Sequence, residues 1–288
     1  MKKTNYYLLT ILFFFLFFAG CTNKKVSENG NQQAVKNSTT SETMKKTAIP
    51  TLFIHGYSGG ENSFGRMIKR MDRHALTKKE LVLIVSPTGK VQAQGNLTGT
   101  ENNPSVQILF EDNKNNEWNQ AEWIKNCLAY IHDKYGITDV NLVGHSMGGA
   151  SSLRYLTKYG DDASLPKINK FVGIAAPFNN FVDLSKGESI EDVLNNGPKV
   201  QSERYTDYLS GIKKVSKDMK VMIIAGDIED GSLSDGTVPV ADALSVVSLL
   251  KAHGNDVQEK IFYGKSAQHS QLHENTEVDK CIIDFLWK

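Results

Sequence analysis

From position 51 onward, short apolar runs alternate with longer segments in which apolar residues recur at helical spacing. TLFIHG, ELVLIVSPTG, VNLVGHS, KFVGIAAP, KVMIIAGD and EKIFYG each read as a buried strand of β-branched and large aliphatic residues closed by a turn-forming residue. Between them lie stretches such as NEWNQAEWIKNCLAYIHDKYG, where Trp123, Cys127, Leu128 and Ile131 recur at the spacing of a helix. Strand, helix, strand in repetition predicts an α/β fold, a mostly parallel sheet with helices on both faces. In such sheets ligands bind beyond the carboxyl ends of the strands. The polar residues of this chain cluster there.

Two segments break the alternation. KVQAQGNLTG and PSVQILFEDN predict a hairpin extension after the second strand, because apolar and polar residues roughly alternate over 105–110. Residues 178–218, after KFVGIAAP, are rich in Asn, Gly, Ser and charge, with weak helical stretches at 190–194 and 205–212. Connections of that length are usually functional or disordered. This one reads as a small lid or rim insertion, in which Phe178, Phe181, Val182, Ile190 and Leu194 either line an apolar pocket or pack the lid itself.

The start of the chain has a different grammar. A basic MKKTNYY is followed by apolar LLTILFFFLFF and then by AG immediately before Cys21. That is an export leader; the apolar run is shorter than the ~20 residues of a permanent membrane-spanning helix. FAGC resembles the bacterial lipobox, whose cysteine is diacylated and becomes the new N-terminus, with Phe18 standing where a small aliphatic residue is usual. A plain secretory signal or an uncleaved anchor would equally place the remainder outside the cytoplasm. Residues 22–47 hold almost no large apolar side chain and read as a flexible tether. The expected organisation is therefore a signal peptide at 1–20, a lipidated Cys21 with its tether to 48, and one domain over 49–288.

Composition adds limits. Hydrophobic residues at 40% and charged residues at 23% are ordinary for one globular domain with a sizeable core. The formal charge of +1 includes two lysines in the leader, so nothing suggests a nucleic-acid surface. Cys127 and Cys281 lie in apolar helical patterns and read as core residues, with a disulfide between them left open. No C-x-x-C or His/Cys cluster suggests a metal, and no cofactor is expected.

The candidate chemistry begins at NLVGHSMGGASS, residues 141–152. A G-x-S-x-G match alone is weak in a chain with 23 glycines. Its context is stronger: VNLV is a strand, GHSMGG a sharp turn, and ASSLRYLTKYG a helix carrying Leu153, Leu156 and Tyr159. Ser146 therefore sits at a strand-to-helix elbow, where a nucleophile is exposed above the sheet and the helix start offers N–H groups to a developing oxyanion. A serine hydroxyl needs a base, and the base an orienting acid. Of the seven histidines, His55 and His145 belong to other motifs, His74 and His132 lie on helical segments, and His253 precedes the last strand at the wrong end. His269 and His273 remain. Asp227 and Asp235 both follow KVMIIAGD, and both also suit turns.

Taken in order, IHGYSG, FEDN, GHSMGG, SDGTVP and HSQLHEN resemble the α/β-hydrolase superfamily over almost all of 51–288, and within it a Gram-positive family of cell-surface hydrolases of unknown function. The resemblance implies the α/β-hydrolase fold with nucleophile, acid and base in that chain order. The superfamily histidine commonly stands about nine or ten residues before a Val that begins the final helix. His269 lies nine before Val278 and His273 five, so the resemblance implies His269 as the base and His273 as the alternative. It implies Asp235 as the acid, through a D-x-x-V-P loop. It also implies an oxyanion hole made by the backbone N–H groups of Tyr57 and Met147.

The expectation is a serine hydrolase, carboxylesterase- or lipase-like, at the extracytoplasmic surface. It would cleave a small-molecule or lipid ester through an acyl-enzyme and be held at the membrane by a lipid anchor. Acyl transfer would use the same residues. A surface binding protein on this fold would have no physical need for serine, histidine and aspartate at these positions.

Overall fold

In the computed structural model, residues 44–180 and 187–288 are described. The leader, Cys21, most of the tether, Phe181 and Val182 lie outside them. The apolar runs become β1 (Thr51–Ile54), β2 (Lys78–Val85), β3 (Val91–Gly95), β4 (Pro104–Phe110), β5 (Asp139–His145), β6 (Lys167–Ile174), β7 (Lys220–Asp227) and β8 (Val257–Tyr263). They form one sheet in the order β3-β2-β4-β1-β5-β6-β7-β8. Only β3, at the edge, runs antiparallel.

The helices are α1 (Glu61–Arg73), α2 (Glu117–Tyr135), α3 (Met147–Tyr159), α4 (Ile190–Asn196), α5 (Glu203–Gly211), α6 (Val240–Leu244), α7 (Val247–His253) and α8 (Thr276–Trp287). Local chemistry sets their limits, as α2 illustrates. The Asn116 side chain accepts the Asn119 N–H at 2.9 Å at its start, and Gly136 takes the left-handed conformation (φ 67°) at its end.

Successive residues of a strand point to opposite faces, and β1 divides accordingly. Leu52 and Ile54 enter one core with Trp123, Ile124, Leu142 and Leu153, under α2 and α3. Phe53 enters the other with Phe64, Met67, Ile68, Val143 and Ile282, under α1 and α8. Cys127 belongs to the first core and Cys281 packs against the second. Both thiols are free, and the sheet between them answers the disulfide question. Burial pushes the Cys127 thiol up, so it is inert packing.

The hairpin expected from 105–110 does not form. β3 does fold back on β2, but β4 lies between β2 and β1, parallel to both. Its polar residues Ser105 and Gln107 are buried and bonded to neighbouring segments. Ser105 Oγ lies 2.6 Å from Thr77 Oγ1, and Gln107 Nε2 donates to the Glu61 carbonyl at 2.6 Å. Alternation marks a half-solvated strand only when the polar side chains have no partner inside.

The domain also starts earlier than position 49. Lys45 N–H donates to the Trp287 carbonyl at 2.8 Å. The Asn103 amide accepts from Thr47 N–H at 2.8 Å and donates to Lys45 O at 3.1 Å and Leu76 O at 3.0 Å. Lys45 and Thr47, at the end of the expected tether, are thus stitched into the fold.

Residues 187–218 supply α4 and α5, which pack on α6 and α7 and on α3 respectively. Phe178 is core, edge-on to Tyr208 with ring centroids 6.3 Å apart. A buried ion cluster fixes α5: Glu117 Oε1 accepts from Arg154 Nη2 at 2.6 Å, Arg204 pairs with Glu117 Oε2, and Arg154 Nη1 meets Asp207 Oδ2 at 2.7 Å. One carboxylate at the first turn of α2 therefore joins α2, α3 and α5.

Candidate active site

At the carboxyl end of β5, Ser146 adopts φ 54° and ψ −129°, a sparsely populated conformation for a residue with a Cβ. The surrounding glycines make it possible. A Cβ on Gly148 would lie 2.3 Å from the Ile54 carbonyl oxygen, and one on Gly144 would lie 2.6 Å from the Gly148 backbone. A serine before a helix usually caps it with its own hydroxyl; Ser146 makes no such bond. Its Oγ lies instead 3.0 Å from His269 Nε2.

His269 is the centre of a line. Its Nδ1 donates to Asp235 Oδ2 at 2.7 Å, and its backbone N–H donates to the Asp235 carbonyl at 2.9 Å. Asp235 is fully buried, and its other oxygen accepts from Thr237 N–H at 2.8 Å and Val238 N–H at 2.6 Å. The structure thus brings together Ser146, His269 and Asp235 from the ends of three strands. Asp227 does something else: its Oδ1 accepts from Glu229 N–H at 2.9 Å and closes the turn after β7. His273 turns its ring edge to His145 at 4.9 Å between centroids, with Nδ1 3.4 Å from Glu274 Oε1.

The loop 55–59 lies directly on the elbow. A Cβ on Gly56 would be 2.7 Å from Ser146 Cβ and 3.3 Å from Met147 N. The Gly56 carbonyl accepts from His55 Nδ1 at 2.8 Å and from Gly59 N–H at 3.0 Å. Because the peptide is planar, fixing that carbonyl also fixes the direction of the Tyr57 N–H. Asn113 clamps the far side, accepting from Ser58 N–H and donating to the Gly59 carbonyl, each at 2.7 Å. Met147 opens α3, whose first-turn amides have no acceptor within the helix.

Sequence reasoning missed three supports, for a common reason: each acts through contacts distant in sequence. His145 Nε2 donates to the His269 carbonyl at 2.9 Å. Arg70 of α1 donates to the His273 carbonyl at 2.9 Å and to Glu274 at 3.0 Å, and pairs with Asp279 of α8, tying down the loop that carries His269. His55 Nε2 accepts from Phe110 N–H at 3.0 Å, joining the loop at 55–59 to the end of β4.

Burial holds the His145 imidazole well below its ordinary value of 6.5, and the neighbouring His269 and His273 add to the effect. Burial also lowers His55, whose bond to the Gly56 carbonyl opposes the shift in part. A histidine whose folded value is depressed contributes full stability above the unfolded value and loses it as pH falls below that value. Stability should therefore drop from about pH 6.5 downward, at up to ~1.4 kcal/mol per pH unit for each of the two. Urea unfolding at pH 7.5 and 5.5 checks this, with His145→Gln giving a shallower decline. Equal stability at both pH values would contradict a neutral buried pair.

Ser146 and His269 open into a cleft of about 370 Å³, whose walls include Tyr57, Asn62, Arg66 and Gln271. No described residue of 187–218 lines it. A larger cavity of about 650 Å³ lies between α1 and α8, lined in part by Met71, Leu76 and Ile283, and shares no lining residue with the cleft. Among the described residues there is no cluster suited to a metal ion, and no helix is long and apolar enough to cross a membrane.

The family model for α/β hydrolases of unknown function (DUF915) matches residues 38–288. The chain belongs to that family. Solved structures agree in fold. The lin2722 gene product of Listeria innocua superposes with a TM-score of 0.77 at 27% identity, over 83% of this chain and 93% of that one. A Lactobacillus plantarum WCFS1 protein provisionally described as a cell surface hydrolase gives a TM-score of 0.63 at 21% identity, over 83% and 89%. No curated protein matches the sequence significantly.

Proposed function

We propose that this α/β hydrolase is a serine esterase working through an acyl-enzyme. The observation that carries the reading is the unbroken line from Ser146 Oγ to His269 Nε2 at 3.0 Å and from His269 Nδ1 to Asp235 Oδ2 at 2.7 Å. Ser146 Oγ attacks the ester carbonyl as His269 Nε2 takes its proton, and the Asp235 carboxylate stabilises the imidazolium. The Tyr57 and Met147 amides receive the oxyanion; one such donor is worth roughly 2.7–4 kcal/mol of barrier. The tetrahedral intermediate then expels the alcohol, which takes the proton from His269. Water repeats the sequence and releases the acid. An acceptor alcohol in place of water would give acyl transfer. None of these steps calls on a cofactor.

The leader and the FAGC motif support an extracytoplasmic site of action, with the domain held to the membrane through a diacylated Cys21. A fluorophosphonate probe should label the protein on the peptide containing Ser146, and p-nitrophenyl acetate should be turned over. A protein that is neither labelled nor active on any p-nitrophenyl ester would end this reading.

A further inference from the structure

Ligand clefts are usually lined mostly by apolar side chains with a few polar groups to orient the ligand. The cleft at Ser146 lacks that apolar majority. None of its described lining residues carries an aliphatic side chain. Its lining includes Asn62, Ser63 and Arg66 from the first turns of α1, and Ser270, Gln271 and Glu274 from the adjoining loop after β8. A buried methylene strengthens binding about fourfold when its surroundings are apolar. Here a long acyl chain would gain little of that, while stripping water from amides, hydroxyls and charges. The apolar cavity between α1 and α8 offers no help, since it does not adjoin Ser146 or His269.

The polar walls are also incompletely satisfied by each other. Arg66 meets Glu274 Oε1 at 3.8 Å and its side chain remains 67% exposed, so several guanidinium N–H groups are free for a ligand. The Glu274 carboxylate is held in place from behind by Arg70 at 3.0 Å. A rigid acceptor facing a donor of this kind suits a hydroxyl group, which both donates and accepts. At the mouth stands Tyr57, 55% exposed. An exposed aromatic face is electron-rich and attracts the C–H groups of a sugar ring.

Resting on the esterase reading, we infer that the substrate is a short-acyl ester of a carbohydrate hydroxyl, with Arg66 and Glu274 reading the sugar and the acyl group no larger than a few carbons. Water cleaves the acyl C–O bond, giving the free carboxylic acid and restoring the sugar hydroxyl.

The test is steady-state kinetics of the full-length protein in detergent on four probes: p-nitrophenyl acetate, p-nitrophenyl octanoate, ethyl acetate and a mono-O-acetylated methyl glucoside. The sugar hydroxyl is a more acidic leaving group than ethanol, and the comparison of wild type with Arg66→Ala on the same two esters cancels that difference. kcat/KM should favour p-nitrophenyl acetate over the octanoate by about 100-fold or more, and the glucoside over ethyl acetate by about tenfold or more. Arg66→Ala should reduce the glucoside-to-ethyl-acetate ratio about tenfold. Equal or better turnover of the octanoate overturns the short-acyl assignment and leaves the esterase standing. A glucoside-to-ethyl-acetate ratio near one, or a ratio indifferent to Arg66→Ala, overturns the carbohydrate assignment. Silence on all four probes would instead count against the esterase reading itself.

Discussion

Ser146→Ala lowers kcat on p-nitrophenyl acetate by roughly 10⁴- to 10⁶-fold, the range expected when a triad loses its nucleophile. The folded state should survive, because the Ser146 hydroxyl caps nothing in α3. Burst kinetics and thermal melts on the same preparation separate the two effects. His269→Ala should fall by a similar factor and abolish fluorophosphonate labelling. His273→Ala should keep labelling at a reduced rate, because that ring packs against His145 and Phe64 while His269 alone spans Ser146 and Asp235. Labelling that survives in His269→Ala and vanishes in His273→Ala would reverse the assignment of the base.

Glu117→Ala carries the largest expected loss of stability. Glu117 is almost fully buried and faces Arg154, whose side chain is only 7% exposed, and Arg204. Desolvation and attraction nearly cancel in an intact buried cluster, whereas removal of one partner leaves the opposite charges stranded. The cost is about 3–5 kcal/mol, which for a domain of this size corresponds to a fall in Tm of roughly 10 °C. Arg154 cannot escape easily: it also stacks 4.4 Å over the Trp118 ring and holds Asp207 of α5. Glu117→Gln retains the shape without the charge and should fall between wild type and Glu117→Ala. A loss below ~1 kcal/mol in either variant would mean that the cluster relaxes into solvent. Chemical denaturation measured at pH 7.5 keeps this effect apart from the histidine linkage.

Much of the architecture was legible because burial and periodicity leave local marks. The six strands formed where their composition placed them, since a strand covered on both faces has no position for a polar residue without a partner; β8 departs from the buried reading, because it lies at the sheet edge and has no fully buried residue. β4 escaped because Gln107 and Ser105 look exposed in sequence and become interior only when Glu61 and Thr77 arrive to bond them. The elbow at Ser146 was likewise visible, because a tight turn in which a Cβ on Gly148 would lie 2.3 Å from the Ile54 carbonyl oxygen can carry only glycine there.

The candidate site was partly legible for a similar reason. Motif order suggested which loops meet, but His269 and His273 share one loop, and Asp227 and Asp235 follow one strand. The resemblance singled out His269 and Asp235, and the direction in which each side chain leaves the backbone is what places that pair in line with Ser146. The supports that hold the geometry are His145 under His269, Arg70 behind Glu274 and Asn113 behind Gly59; Arg70 lies in no motif, and the motifs around His145 and Asn113 do not show what those two residues hold. Each joins segments that are neighbours only after folding.

The sequence by itself determined the class of fold, the elbow and the short set of residues able to do acyl chemistry, because these depend on local composition and on backbone sterics. The tertiary structure alone decided which strand lies beside which, how closely His269 approaches Ser146, and which polar groups among the described residues line the cleft above it. Those outcomes depend on hydrogen bonds and contacts between residues far apart in the chain, as over the 209 positions between Arg70 and Asp279. Such pairings are set by the packing of whole elements, and no local stretch of the chain encodes them.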